Sequence, residues 1–248
     1  MFTKQSLIHN LSRVFVVGGM AATMALATLQ APVAQAASTK CTAKDTQCVI
    51  TFGDQQITTR QNALNTLNTK ILNIQGKKQI TDTQVANLTT DVKNHLAILT
   101  TLKTKLDAAT NAKDAREDVK NIYQYRILAV VVPRDYRILH LDVEAGVRDK
   151  LVDLKPNLES VIDKASAAQK AKLNPLFNDY KNDLTTIEGV IDNAQSTLPQ
   201  LTAAEYNTDH ADYKTNDTKL VQAEHTIHTN LLNAAKDLHQ IRQLLDTK

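Results

Sequence analysis

The sequence is poor in the residues that build sheets and tight turns. It has no tryptophan, and only 4% of its 248 residues are aromatic. Glycine occurs six times and proline five times. Scarce aromatic residues and scarce glycine argue against a β-sandwich and favour long helices. The same scarcity of glycine excludes a glycine-rich loop that binds phosphate.

An excess of one charge is also lacking. The chain has 29 lysine and arginine residues against 26 aspartate and glutamate residues, a net charge of +3. Both signs are interspersed, so no nucleic-acid partner is expected. No G-x-S-x-G segment occurs, and no serine lies in a nucleophile motif. We therefore expect that the protein is not an enzyme and that it binds no cofactor. A catalytic site built from side chains that converge from several helices is the least favoured of the functional alternatives.

The two cysteines, Cys41 and Cys48, are separated by six residues in CTAKDTQC. The C-x-x-C spacing of a redox site is missing. In an exported protein a cysteine pair is by default a disulfide, and metal binding by two thiols alone is the weaker alternative. We predict a disulfide-stapled N-terminal loop over residues 37–53.

The first 36 residues have the three parts of a secretory signal peptide. Lys4 and Arg13 precede an apolar run over Val14–Leu29, and Ala34-Gln35-Ala36 offers a cleavage site. An uncleaved anchor is disfavoured because the run is shorter than the roughly 20 residues of a membrane span. Removal of residues 1–36 would lower the net charge to +1, and no second run of spanning length follows. These features predict a secreted or extracytoplasmic protein of the cell envelope or surface.

Apolar residues recur at helical spacing over residues 54–248. Thr81 and Gln84 form a capping-box pattern, Asn111 is a candidate cap, and Pro156 interrupts the periodicity. The clearest stripe alternates steps of four and three residues: Leu173, Phe177, Tyr180, Leu184, Ile187, Ile191, Ala194 and Leu198. We predict an all-α fold, an antiparallel bundle of six or seven long helices with coiled-coil-like heptad packing.

Some helix boundaries follow from local signals. We expect Asn174 to cap the helix that carries this stripe, with Pro175 in its first turn. The polar residues 207–217 predict a loop, so the last helix should begin near Thr218. In the heptad pattern of residues 85–109, His95 is the one residue that is not apolar. It is expected to be a satisfied core histidine or a device that sets helix register.

The most distinctive segment repeats Tyr-Arg-Ile-Leu at 125–128 and 136–139, with Pro133 between the copies. A hairpin is one interpretation, but a helix is favoured because no other strand candidate exists to complete a sheet. In an unbroken helix, a spacing of eleven residues would place both copies on nearly the same face. Pro133 would either bend that helix or divide it.

The side chains of the repeat suggest a binding site. Tyr125, Arg126, Tyr136 and Arg137 form a candidate site for an anionic or sugar-containing ligand, since arginine and tyrosine recognise such groups. The alternative is structural. In that case the tyrosines pack at the edge of the core, and the arginines pair with nearby aspartates such as Asp135.

The last helix carries Glu224, His225 and His228, which lie within one turn and are a candidate metal site. A di-iron site of the ferritin type would need Glu-x-x-His pairs, and the sequence has none. The alternative is that these side chains are solvated or lie at the edge of the core.

Two segments resemble secreted bacterial proteins of uncharacterised function. These segments, within residues 110–248, read YRILAVVVPRDYRI and LTAAEYNTDHADYKTNDTKLVQAEHTIHTNLLNAAKDLHQI. The resemblance implies an exported, all-helical bacterial protein, and it carries no site residues. The histidines of the last helix depart from it, because arginine, aspartate and alanine are expected there.

These observations together predict an exported helical-bundle protein with a structural or interaction role at the cell envelope or outside the cell. Its partner would be an unknown protein or a cell-wall polymer, and the pattern leaves the oligomeric state open. The alternative is an exported binding protein for a metal ion or an anionic or sugar ligand, which would use helix-borne histidine or Tyr-Arg residues.

Overall fold

A computed structural model describes residues 41–42 and 44–246, and nearly all of them are α-helical. No strand occurs among these residues, so the predicted all-α fold is confirmed and the hairpin interpretation is wrong. No helix in this part of the chain is long and apolar enough to cross a membrane. The predicted signal peptide, residues 1–36, lies outside the described residues. Coiled-coil heptad packing stays a prediction.

Eight α-helices lie in the described part of the chain, and six of them are at least 13 residues long. They are α1 (Thr46–Gly76), α2 (Asp82–Asp107), α3 (Ala112–Gln124), α4 (Val132–Val152), α5 (Lys155–Asp163), α6 (Ala167–Thr197), α7 (Ala203–Thr208) and α8 (His210–Asp246). A π-helical turn, Ile127–Val131, precedes α4, and a 3-10 turn, Leu198–Gln200, follows α6.

Helix α1 begins earlier than the sequence suggests. The side chain of Asp45 accepts a hydrogen bond of 2.9 Å from the backbone N–H of Cys48, which caps the helix at its first turn. The predicted loop over residues 37–53 is therefore helical from Thr46 onward. The sulfur atoms of Cys41 and Cys48 lie at disulfide distance, as predicted.

The connection between α1 and α2 follows known capping rules. Helix α1 ends at Gly76 as predicted, but the left-handed residue is Lys78, with φ of 54°. The predicted capping box between Thr81 and Gln84 is present at the start of α2. A linker this short makes α1 and α2 antiparallel neighbours.

The described residues form two compact units. The first unit takes the residues as far as His140 together with Leu198–Asp217, and the second takes Leu141–Thr197 and the residues from Thr218 onward. A division into two units was not expected for the single bundle predicted over residues 54–248. Helices α4 and α8 contribute residues to both units.

In the first unit, α1 packs against α2 and α3, and α2 packs against α3. Gly53 lies where these three helices approach one another, beside Leu106 of α2 and Val119 of α3. The apolar side chains that α1 and α2 bury there occupy the predicted helical spacing: Ile57, Leu64, Leu67, Ile71, Ile74, Val85, Leu88, Val92, Leu99, Leu102 and Leu106.

In the second unit, α5 packs against α6. All eight residues of the stripe predicted between Leu173 and Leu198 are buried. The hydroxyl of Tyr180, itself fully buried, donates a hydrogen bond of 2.5 Å to the carbonyl of Leu151 at the end of α4. Burial raises the pKa of Tyr180, so this hydroxyl keeps its proton and remains a donor.

The apolar spacing of Ile138, Leu141, Ala145, Val152 and Leu154 predicts a buried stripe, and only Leu141 and Leu154 of these five are buried. Ile138, Ala145 and Val152 are only half-buried, whereas Leu139, Val143, Val147 and Leu151 are buried. The π-helical turn that precedes α4 has a wider hydrogen-bond ring than an α-helix. It therefore changes the rotation at which α4 begins relative to α3.

Two predicted helix starts are also wrong, because other side chains provide the caps. Ser166 and Gln169 exchange hydrogen bonds of 3.3 Å at the start of α6, so Pro175 lies inside that helix. Asp209 accepts a bond of 3.0 Å from the backbone of Asp212, so α8 begins at His210 and includes most of the predicted loop.

Threonine hydroxyls on the exposed helix faces bond to the chain's own backbone. Each donates to the carbonyl four residues earlier, at 2.8–3.1 Å, and these residues include Thr59, Thr66, Thr69, Thr100, Thr101, Thr185, Thr186, Thr226 and Thr229. Such bonds are a known alternative to exposing the hydroxyl to water.

The packing at Gly53 predicts that Gly53→Ala destabilises the protein. A Cβ atom there would lie 2.9 Å from Val119 Cγ2 and closer still to Leu106 Cδ2. Such overpacking costs roughly 1–3 kcal/mol of unfolding free energy. Gly189→Ala is the matched control, since its Cβ meets nothing within 4 Å and should stabilise α6 by roughly 0.5–1 kcal/mol. Urea unfolding measures both, and a neutral Gly53→Ala would contradict the close packing.

Candidate functional site

The chain breaks its helical path at Arg126 rather than at Pro133. Arg126 has a left-handed backbone, with φ of 49°, between the end of α3 and the π-helical turn. Pro133 is the second residue of α4 and follows that turn directly. The two Tyr-Arg copies therefore do not share one unbroken helix, and the predicted alignment of Tyr125-Arg126 with Tyr136-Arg137 on one face is wrong.

The missing N–H of Pro133 leaves the carbonyl of Ala129, four residues earlier, without its usual helical partner. The hydroxyl of Tyr213, on α8, donates a hydrogen bond of 3.3 Å to this carbonyl. Burial raises the pKa of Tyr213 to about 12, and the charge of Asp217 acts in the same direction. Tyr213 therefore remains protonated and serves as a donor.

The side chain of Arg126 joins the π-helical turn to α7. Its Nε donates a hydrogen bond of 2.6 Å to Asn207 Oδ1, and its guanidinium lies 4.7 Å from the ring centroid of Tyr206. Asn207 in turn donates a bond of 2.9 Å to the carbonyl of Gln124. The ring of Tyr206 meets the ring of Tyr213 edge to face, at 4.9 Å between centroids.

A second arginine-tyrosine contact lies beside the first. The guanidinium of Arg60, on α1, is 4.7 Å from the ring centroid of Tyr123. Arg126 donates its backbone N–H to the carbonyl of Tyr123 at 3.1 Å, so the two contacts are neighbours. Tyr123 and Tyr125 are each 39% exposed. We call Arg60, Tyr123, Tyr125, Arg126 and Tyr206 the tyrosine–arginine surface.

Neither arginine of this surface has a carboxylate partner among the described residues. Arg60 is buried, donates to the carbonyl and side-chain oxygens of Gln56, and has its pKa lowered by burial. Arg126 bonds to the neutral amide of Asn207. By contrast, ion pairs with carboxylates are formed by four other arginines among the described residues: Arg134, Arg137, Arg148 and Arg242.

The second Tyr-Arg copy does not join the surface. Arg137 donates a hydrogen bond of 2.8 Å to Asp217 on α8, and 14% of its side chain is exposed. Tyr136 is half-buried, and burial raises its pKa. Of the four predicted ligand-binding residues, the structure therefore brings only Tyr125 and Arg126 to this surface. The structural alternative describes Arg137 better, although its carboxylate is on α8 rather than nearby in sequence.

A partly buried cluster of polar residues joins α2 to the start of α4. We call Asp91, His95, Arg134 and Asp135 the aspartate–arginine cluster. Arg134 donates from Nε and from one terminal nitrogen to Asp135 Oδ1, at 3.0 and 2.9 Å, and the same terminal nitrogen bonds Asp91 Oδ2. His95 Nε2 lies 3.6 Å from Asp91 Oδ1. Asp91 is 43 residues from Arg134 in the sequence, and no local pattern indicates that the two pair.

The environment shifts the titration of this cluster. Burial raises the pKa of Asp135 to about 7, Arg134 opposes the shift, and the neighbouring Asp91 adds to it. Burial also lowers the pKa of His95, although the charge of Asp91 acts against this. His95 is thus a neutral histidine whose Nδ1 is buried without a hydrogen-bond partner.

The candidate metal residues point in different directions. Glu224 is buried at 3% exposure, His225 is exposed and His228 is half-buried. Among the residues that the structure describes, no group of three His, Cys, Asp or Glu side chains is arranged to hold a metal ion. Instead, Glu224 and Glu144 are both buried in the second unit. Burial and the charge of Glu224 raise the pKa of Glu144 to about 8.

Comparisons with known proteins assign no family. No family profile matches the chain, and no curated protein and no solved structure is significantly similar to it. Functional inference therefore rests on the residues themselves, and the resemblance to secreted bacterial proteins stays a prediction.

The bond to Ala129 predicts that Tyr213→Phe lowers the unfolding free energy by about 0.5–1.5 kcal/mol, the net value of one hydrogen bond. The ring remains, so packing is preserved and the loss isolates the hydroxyl. Tyr125→Phe is the control, because Tyr125 is exposed and its substitution should leave stability unchanged. Equal stability of both variants in urea unfolding would show that the Tyr213 hydroxyl does not stabilise the π-helical turn.

Proposed function

We propose that this chain is an exported helical protein that acts by binding a partner at the cell envelope or outside the cell. Export is supported by the signal-peptide pattern of residues 1–36. A cysteine pair at disulfide distance and the lack of a spanning helix among residues 41–42 and 44–246 are compatible with such a location. The partner is a protein or a cell-wall polymer.

The tyrosine–arginine surface is the observation that carries the proposal. Tyrosine and arginine are, with tryptophan, enriched at binding hot spots, because they combine a large contact area with hydrogen-bonding groups. Here two tyrosine rings are exposed, and the neighbouring guanidinium groups are held in place by ring stacking and by Asn207. Side chains that are already ordered lose little conformational entropy on binding.

The second candidate function is binding of a small anionic or sugar ligand at the same surface. It is favoured by the uncompensated charge of Arg60 and Arg126, whose hydrogen-bond partners are neutral. A sugar ring would stack on an exposed tyrosine, and an acidic group would bond to Arg126. A small ligand would compete with the larger partner for Tyr125 and Arg126.

Sedimentation with cell-wall fractions tests the surface. The double variant Tyr125→Ala, Arg126→Ala should bind about tenfold more weakly or worse, because each truncation at a hot spot typically costs more than 1 kcal/mol. Arg242→Ala is the matched control, since this arginine pairs with Asp246 within α8 and lies outside the surface. Circular dichroism must show that both variants retain the helical fold.

Each outcome separates the candidates. Unchanged binding by the double variant would remove the tyrosine–arginine surface from the proposal while leaving the interaction role intact. If the protein sediments with the cell-wall fraction, and added acidic sugars prevent this, the small-ligand candidate is favoured. Elemental analysis of untagged protein tests the metal alternative, and a stoichiometric metal lost in His225→Ala and His228→Ala would sink the proposal that binding uses this surface alone.

A further inference from the structure

The aspartate–arginine cluster contains more acid than base. One guanidinium, that of Arg134, faces the two carboxyl groups of Asp91 and Asp135. Asp135 is fully buried, and its Oδ1 accepts both bonds from Arg134. Its Oδ2 is also buried and receives no bond from an N–H or hydroxyl group of the described residues. A buried carboxylate oxygen without a donor is costly, and a proton on that oxygen removes the cost.

The charges and hydrogen bonds of the neighbouring groups are compatible with a proton on Asp135. Asp91 Oδ2 accepts from the same terminal nitrogen of Arg134 as Asp135 Oδ1 does, and the side chain of Asp91 is partly exposed, so its carboxylate is available beside Asp135 as an acceptor. His95 lies on the other side of Asp91 and adds no positive charge while it is neutral. From α8, Tyr213 faces Arg134 as a neutral phenol, and Asp217 is already paired with Arg137.

We propose that Asp91 and Asp135 share one proton in a carboxyl–carboxylate hydrogen bond, and that loss of this proton weakens the link between α2 and α4. The cluster is thus a pH-responsive clamp inside the first unit. With the proton present, one negative charge faces one guanidinium, and the buried Oδ2 of Asp135 is no longer a charged oxygen without a donor. Without it, two carboxylates repel each other around a single cation.

The sign of the effect follows from the two states of Asp135. In the folded protein its pKa is raised from 3.8 to about 7, so the folded state holds a proton that the unfolded chain releases. The contribution to stability is complete below 3.8 and is lost as the pH rises to about 7. This is the reverse of ordinary acid denaturation, in which protonation of paired carboxylates unfolds the protein.

His95 acts in the opposite direction. Because burial lowers its pKa from 6.5, the unfolded chain binds a proton at His95 more readily than the folded protein does. Acidification through that range therefore removes stability at His95 while it restores stability at Asp135. The two contributions must be separated by substitution.

Urea unfolding over a pH range from below 3.8 to above 7 tests the clamp with the full chain. In a His95→Gln background, the unfolding midpoint should fall as the pH rises through this range. Adding Asp135→Asn should make the profile less steep, although Glu144 still titrates in this range. It should also raise the urea midpoint measured above pH 7, because the amide carries its hydrogen permanently and keeps the acceptor for Arg134. An equally steep profile in the variant that carries Asp135→Asn would overturn the proposal.

Carbon-13 titration of the aspartate carboxyl groups in the unmodified protein provides a measurement that does not depend on a variant folding. The Asp135 signal should report a protonated carboxyl at pH 5.5, about midway between 3.8 and 7, and it should change on approach to pH 7. Asp91→Asn removes the like charge and should shift that change to lower pH. A carboxyl group at Asp135 that is already ionised at the lower end of the range would exclude the shared proton.

Discussion

The left-handed backbone of Arg126 is the constraint on which the middle of the chain depends. A non-glycine residue in this conformation costs roughly 1–2 kcal/mol. Contacts of the same residue offset that cost: its guanidinium stacks on Tyr206, and its Nε bonds to Asn207. Because α3 stops there, Tyr123 and Tyr125 remain at the surface, while the residues after the π-helical turn carry Arg134 and Asp135 into the interior. The two candidate sites are thus consequences of one turn.

Features that depend on neighbouring residues in the sequence could be predicted, whereas features that depend on contacts between distant residues could not. Apolar periodicity and local caps are encoded within a few residues, so the stripe from Leu173 to Leu198 and the capping box at Thr81 were correct. The π-helical turn has no periodic signature, so it was not predicted. Arg60 carries a signal in the sequence: it lies three residues after Ile57 and four before Leu64, as a charged residue on an apolar stripe. Tyr206 and Asp91 meet their partners only through the tertiary fold.

Charged groups in the interior are concentrated in few places. Arg60, Asp135, Glu144 and Glu224 are the buried charged residues in the described part of the chain, and most of the surrounding core is aliphatic. Burial of a charge is unfavourable unless it is paired, so such residues add little to stability as such. Their effect is to make the stability of the fold depend on pH, because the gain or loss of one proton changes the electrostatic energy where water screens it poorly. Asp135 and Glu144 have raised pKa values of about 7 and about 8 for this reason.

The threonines on the helix faces have a consequence for the exterior. Their hydroxyl hydrogens are directed to the chain's own carbonyl oxygens, as in Thr66 and Thr186, so methyl groups form much of what solvent meets beside them. A methyl group has no charge to be screened and no proton to exchange. These faces should therefore keep the same character in dilute and concentrated salt, and in acidic and neutral media. Within the interior, the response to pH is set by the few ionisable groups that are buried there.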